Sequence, residues 1–333
     1  MRRKILLAIA LLFILAASAV VFFALKNSAS TSAQPSETPA DTIITPSPAP
    51  VFDKIEPGLA TYCVDKAVWD TCPEQGSVHF LSYKTCDYYE NAGREVEKTM
   101  EVYLPYGYSE EIKYNVLFLL HGSHGTESYW LSNSRWYTYP DWFPDEFVCI
   151  SDMLDNMIFQ GLCEPCIVVS PTFYLTPDEL RYEDNADRDA YRFTRELRND
   201  ILPALTNTYS TYDFGDKKHF GFIGASYGSS LMYKSVLCAN NDLFSWYGGV
   251  SGFYTSVAQI NSCTRGSEID LLYMSAGSDE YALEDTVAGY HSLQETNPDI
   301  KDIVFVEIEN AGHTDRVWNN AVYNCLQLFF KEA

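Results

Sequence analysis

Residues 115–120 read NVLFLL and residues 166–171 read CIVVSP, and these two runs restrict the fold more than any other part of the 333-residue chain. A strand sends successive side chains to opposite faces, so one that is apolar throughout must be covered on both. Helices between the strands supply that cover, and the surrounding sequence alternates accordingly. VHFLSY (78–83) and EVEKTMEVYLP (95–105) are strand-like, and ISDMLDNMIFQ (150–160) can form a helix. AYRFTRELRNDILPALTNTY (190–209) has apolar residues at helical spacing, with Pro203 expected to kink or divide it. KHFGFIG (218–224) reads as a strand and SYGSSLMYKSVLCA (226–239) as a helix. FSWYGGVSG (244–252) and IDLLYMSAG (269–277) are strand-like, and YALEDTVAGYHSLQ (281–294) is helical. IVFVEIE (303–309) is a last strand and TDRVWNNAVYNCLQLFF (314–330) a last helix. The pattern predicts an α/β fold with a mostly parallel central sheet and helices on both faces.

With 47% hydrophobic residues and no linker within 51–333, that segment is expected to form one domain. What precedes it has another character. Arg2, Arg3 and Lys4 stand before an uncharged apolar run, 5–25, of roughly 31 Å as a helix, about a bilayer's hydrocarbon thickness. Residues 1–26 therefore read as a signal anchor or signal peptide, with the rest of the chain outside. Residues 27–50, rich in Ser, Thr, Pro and Ala, read as a linker. The expected location is extracellular, secreted or tethered at the cell surface, with membrane contact only through the N-terminal segment. The net charge of −22 argues against a nucleic-acid partner, because phosphate binding needs basic surface.

Nine cysteines in an exported chain suggest disulfides, and Cys63 and Cys72 are expected to staple the N-terminal extension. The odd number leaves at least one thiol unpaired. Cys163 and Cys166 have C-x-x-C spacing, but without a second pair or a nearby His their expected role is structural. No metal-ligand cluster or nucleotide loop is evident, so no cofactor is expected. The acidic run TPDELRYEDNADRD (176–189) lacks the ligand spacing of a calcium loop and reads as solvated.

The chemistry centres on GFIGASYGSS (221–230), where Gly224, Ser226 and Gly228 make G-x-S-x-G between a strand and a helix. A turn that tight needs small neighbours, and it aims the helix N-terminus at charge developing near the serine. A serine hydroxyl needs a base, and His313, between the last strand and the last helix, reaches the same sheet edge. The acid that orients it is expected after IDLLYMSAG, at Asp279 or Glu280. Oxyanion N–H donors are expected from Tyr227, after the nucleophile, and from Ser123, after the strand 115–120. His121 is expected to brace that loop. The segment 127–147 is a long aromatic loop in which Trp130, Trp136 and Trp142 can offer a platform to a sugar or phenolic ring.

With these pieces in view, the chain resembles the α/β-hydrolase esterases that include feruloyl esterases, acetylxylan esterases, S-formylglutathione hydrolases and mycolyltransferases. The likeness rests on MEVYLPYGYSEEIKYNVLFLLHGSHGTESYW, CIVVSPTF, FTRELRNDILPAL, GFIGASYG and GHTDRVWNNAVYNCLQLFF, in that order over about 76–331. It is greatest to the bacterial feruloyl and acetylxylan esterases. The resemblance implies Ser226 as nucleophile, His313 as base and the acid three residues after Gly277, which is Glu280 where many members have Asp. Asp279 remains a rival. It further implies that Tyr227 narrows or polarises the acyl side. The expected activity is removal of feruloyl or acetyl groups from plant-wall carbohydrate. An acyltransferase or siderophore esterase of the same family, or a catalytically inactive surface binding module, are the alternatives.

Overall fold

The computed structural model describes residues 71–90, 93–132, 149–181 and 185–331. Within it the apolar runs become the middle of an eight-stranded sheet, ordered β1-β2-β4-β3-β5-β6-β7-β8. The strands are β1 (Ser77–Cys86), β2 (Glu95–Leu104), β3 (Asn115–Leu120), β4 (Cys166–Ser170), β5 (Phe220–Ala225), β6 (Trp246–Val250), β7 (Ile269–Gly277) and β8 (Ile300–Ile308). Strand β2 runs antiparallel to both β1 and β4, and every pair from β4 across to β8 is parallel. This is the mostly parallel α/β architecture that the sequence predicts.

The period of two divides the apolar runs between two cores. Val116, Phe118 and Leu120 of β3 enter one core, and Leu117 and Leu119 enter the other. On the first face lie α2 (Ala186–Glu196), α3 (Leu202–Thr208), α4 (Tyr227–Leu231), α5 (Val257–Cys263) and α6 (Leu283–Thr296). On the second lie α1 (Ile150–Phe159) and α7 (Asp315–Leu328). The helix expected over 190–209 forms with its irregularity at a widened turn, Leu197–Ile201, and the backbone stays helical into α3, where Pro203 is the second residue.

Two local expectations need correction. Helix α5 falls where none was expected, although Ser256 and Gln259 spell the start of a capping box, and the Ser256 hydroxyl does accept from the Gln259 N–H at 3.2 Å. The acidic run 176–189 is not simply solvated. Helix α2 begins at Ala186 within it, Asp189 is buried, and Glu179 accepts from the buried Arg192 at 3.0 Å.

Of the described cysteines, Cys72, Cys166 and Cys325 are buried and the others are half-buried. The Cα atoms of Cys238 and Cys263 are 5.0 Å apart, within disulfide range. Burial pushes the Cys166 thiol up to about 12, so it is not a reactive thiolate. Cys72 is a buried thiol, and Cys63, its expected partner, lies outside the described residues. The apolar run 5–25 and the linker 27–50 lie outside them too. Among the described residues no helix is long and apolar enough to cross a membrane.

A buried ion pair pins β2 to α2. Lys98 Nζ is 2.6 Å from Glu196 Oε1, both side chains are buried, and the Tyr83 hydroxyl donates to the same oxygen at 2.7 Å. Removing one partner of such a pair leaves an uncompensated charge. Lys98→Met is expected to lower unfolding free energy by about 3–5 kcal/mol in urea titration. A loss of under about 1 kcal/mol would show that Glu196 does not depend on the lysine.

Candidate active site

Strand β5 delivers Ser226 to the C-terminal edge of the sheet in a backbone conformation, φ 54° and ψ −121°, that side chains rarely adopt. The Ser226 N–H donates to the Val250 carbonyl at 2.9 Å and so ties the turn to β6. The small neighbours have a steric reason. A Cβ on Gly224 would run into the backbone of Gly228, and one on Gly228 would run into the carbonyls of Leu120 and His121. A Cβ on Gly122 would lie 3.0 Å from that of Ser226. The loop after β3 therefore lies directly against the serine.

His313 arrives from the turn after β8. Its Nε2 is 2.8 Å from Ser226 Oγ, and its Nδ1 is 2.7 Å from Glu280 Oε1. The turns carrying Glu280 and His313 are locked together by backbone bonds, Ser278 N–H to Ile308 O at 2.9 Å and Asp279 N–H to Ala311 O at 3.0 Å. Gly277 lets them approach, since a Cβ there would collide with the Ala311 carbonyl. Glu280 therefore meets the imidazole, whereas Asp279, the rival, is exposed and engages the His313 turn through its backbone.

The Glu280 carboxylate is fully buried but well supplied with donors. Its Oε2 accepts from the Gly277 N–H at 2.8 Å and from the Ser251 hydroxyl at 3.0 Å. Ser251 follows β6 with φ 56° and accepts in turn from Trp318 Nε1 at 2.9 Å. The relay thus has five members, of which the sequence reading missed Ser251 and Trp318. Each had a positional signal, because Ser251-Gly252 follows a strand at the same sheet edge and Trp318 lies in the first turn of the helix that begins two residues beyond His313.

Around the imidazole stand aromatic rings. Tyr281 stacks at 5.1 Å between centroids and 27° between planes, and Trp318 meets the ring edge-on at 5.5 Å. The Tyr254 hydroxyl lies 3.1 Å from that of Tyr281. Trp130, expected to offer a platform, is instead 1% exposed within the second core, because β3 and α1 close over it. Trp136 and Trp142 lie outside the described residues.

Ser123 is exposed in the loop beside the serine, one residue beyond Gly122. Tyr227 is the first residue of α4, where helix N–H groups lack acceptors within the helix. Its phenol turns elsewhere, donating to Asp189 Oδ2 at 2.8 Å, so the hydroxyl expected to polarise the acyl side is bound to a protein carboxylate.

His121 braces the loop, as the sequence reading expects. Its Nδ1 donates to the Gly122 carbonyl at 2.7 Å, which leaves Nε2 to accept the Thr172 hydroxyl at 2.9 Å. Complete burial, aided by Lys98, lowers its pKa to about 4, so the ring is neutral near pH 7. Because the unfolded chain binds this proton near pH 6.5 and the folded chain does not, the stabilisation is complete above about 6.5. It is lost as pH falls toward 4, by up to about 3 kcal/mol. An NMR titration should find the His121 imidazole unprotonated down to about pH 5, and a native pKa near 6.5 would contradict this.

No family model matches the chain. Over 288 residues it is 26% identical to endo-1,4-beta-xylanase Y of Acetivibrio thermocellus, a match covering 78% of this chain and 24% of that protein. Over 160 residues it is 26% identical to an endo-1,4-beta-xylanase/feruloyl esterase of Xylanibacter ruminicola, covering 46% and 19%. The chain thus spans a quarter or less of the length of these curated relatives. Among solved structures it resembles the feruloyl esterase module from Clostridium thermocellum, complexed with sinapinate. The TM-score is 0.66 at 22% identity, over 84% of this chain and 97% of that one. By this likeness, the eight-stranded sheet and its helices have the fold of that feruloyl esterase module.

Proposed function

We propose that the chain is an extracellular serine esterase that removes feruloyl or acetyl groups from plant cell-wall polysaccharide. The observation that carries the reading is the unbroken relay from Ser226 through His313 to the buried Glu280, with spacings of 2.8 and 2.7 Å. In this mechanism Ser226 Oγ attacks the ester carbonyl while His313 Nε2 takes its proton. Glu280 holds the imidazole and stabilises its charged form. The oxyanion rests on the backbone N–H groups of Ser123 and Tyr227. His313 then protonates the departing alcohol, and water admitted along the same path hydrolyses the acyl-enzyme. The polysaccharide substrate is supported by the xylanase and feruloyl esterase names of the relatives. The domain begins near residue 51, carried on the linker behind the N-terminal anchor or signal, and an oxidising location suits a Cys238–Cys263 disulfide.

Ser226→Ala is expected to lower kcat toward methyl ferulate and nitrophenyl acetate by at least about 10⁴-fold, and to abolish labelling by a fluorophosphonate. Retention of activity on both esters would eliminate the mechanism. Ser251→Ala removes one donor to Glu280 and the acceptor of Trp318 Nε1, loosening the carboxylate that orients the imidazole. The expected result is a roughly tenfold loss of kcat/KM on both esters. Unchanged kcat/KM would mean that Ser251 does not govern the acid.

A further inference from the structure

We propose that Tyr281 and Tyr254 form the subsite for the alcohol half of the ester, which they bind as a neutral sugar ring beside His313. The inference rests on the esterase reading and adds to it where the leaving group lies. An alkoxide departs readily only when protonated, and here the proton is carried by His313 Nε2. The bridging oxygen must then come within about 3 Å of that nitrogen, so the sugar attached to it lies alongside the imidazole. The imidazole's surroundings on the protein side are occupied. Glu280 holds Nδ1, and Trp318 stands edge-on to the ring at 88°.

Among the described residues, tyrosines stand at the open side of the imidazole. Tyr281 covers a face of the imidazole and is 71% exposed, the most exposed large aromatic among the described residues. Tyr254 is also exposed, and its hydroxyl lies 3.1 Å from that of Tyr281 and 3.3 Å from the Ser251 carbonyl. With Tyr254 donating to that carbonyl, its oxygen accepts from Tyr281, and both hydroxyl groups are held in place. A pyranose or furanose ring presents C–H groups to an aromatic face and hydroxyl groups to phenol oxygens, which is what this pair offers. The chain's charge of −22 favours a neutral partner over an anionic one.

The test uses substrate pairs that share an acyl group and differ in the alcohol. Methyl ferulate is compared with a feruloylated arabinoxylan oligosaccharide, and nitrophenyl acetate with acetylated xylo-oligosaccharide. In full-length protein, Tyr281→Ala is expected to raise KM for the sugar ester and to lower its kcat/KM about tenfold more than that of its small-alcohol partner. Tyr281→Phe, which keeps the ring, should retain most of the sugar-ester activity. Equal losses on both members of a pair would assign Tyr281 to positioning the imidazole, and no loss on either would place the sugar elsewhere. Either result overturns the subsite while Ser226-dependent hydrolysis still stands. Wild-type protein inactive on all four esters would overturn the esterase reading and the subsite together.

Discussion

The site depends on a single sharp turn. Ser226 is held at φ 54° between a fully buried strand and a helix, a conformation that costs on the order of 1–3 kcal/mol. The strain persists because its surroundings leave no alternative. Its N–H is bonded to β6, and the backbones of β3, β5 and α4 approach so closely that Gly224 and Gly228 admit no side chain. The cost secures a hydroxyl raised above the sheet edge with a helix N-terminus behind it. A relaxed backbone at this position would turn the side chain back toward the core.

The second requirement is a buried carboxylate whose oxygens are all satisfied. Glu280 has no exposed side chain, and burying such a group without partners is costly. Donors from Gly277, Ser251 and the imidazole satisfy both oxygens instead. Because Ser251 itself accepts from Trp318 on α7, the orientation of the acid is fixed by the helix that follows the histidine. The five residues come from the turns after β5, β6, β7 and β8 and from α7, so assembly of the whole sheet precedes formation of the relay.

The parts of this arrangement that were legible in the sequence have local causes. NVLFLL and CIVVSP specify buried strands through composition alone, and G-x-S-x-G after KHFGFIG marks the turn because only small residues fit there. The choice of Glu280 over Asp279 was open until the backbone bonds between the β7 and β8 turns put one side chain inward and the other in solvent. Sequence position marks Ser251 only as following a strand, whereas its importance lies in contacts with residues 29 and 67 positions away. Trp130 misled for a related reason, since an aromatic-rich segment does not reveal which ring the core will take. The fate of Asp189 was likewise invisible, because an acidic run gives no hint that one member is drawn inward by the Tyr227 hydroxyl.

A polar chain beneath the site ties the stability of the fold to the geometry of the loop after β3. Glu196 on α2 holds Lys98, and Lys98 also donates to the Thr172 carbonyl at 2.8 Å. The Thr172 hydroxyl in turn meets His121, whose other nitrogen fixes the Gly122 carbonyl. Gly122 is the residue in contact with Ser226. Buried polar chains of this kind are costly when partly satisfied and rigid when complete. Its cation favours a neutral imidazole, and a neutral imidazole has one donor and one acceptor, which are the two roles that the carbonyl and the hydroxyl require. The lysine therefore does more than offset Glu196. Burial first, and the lysine after it, keep His121 uncharged, which fixes which way each bond in the chain points and sets the loop against the serine in one arrangement.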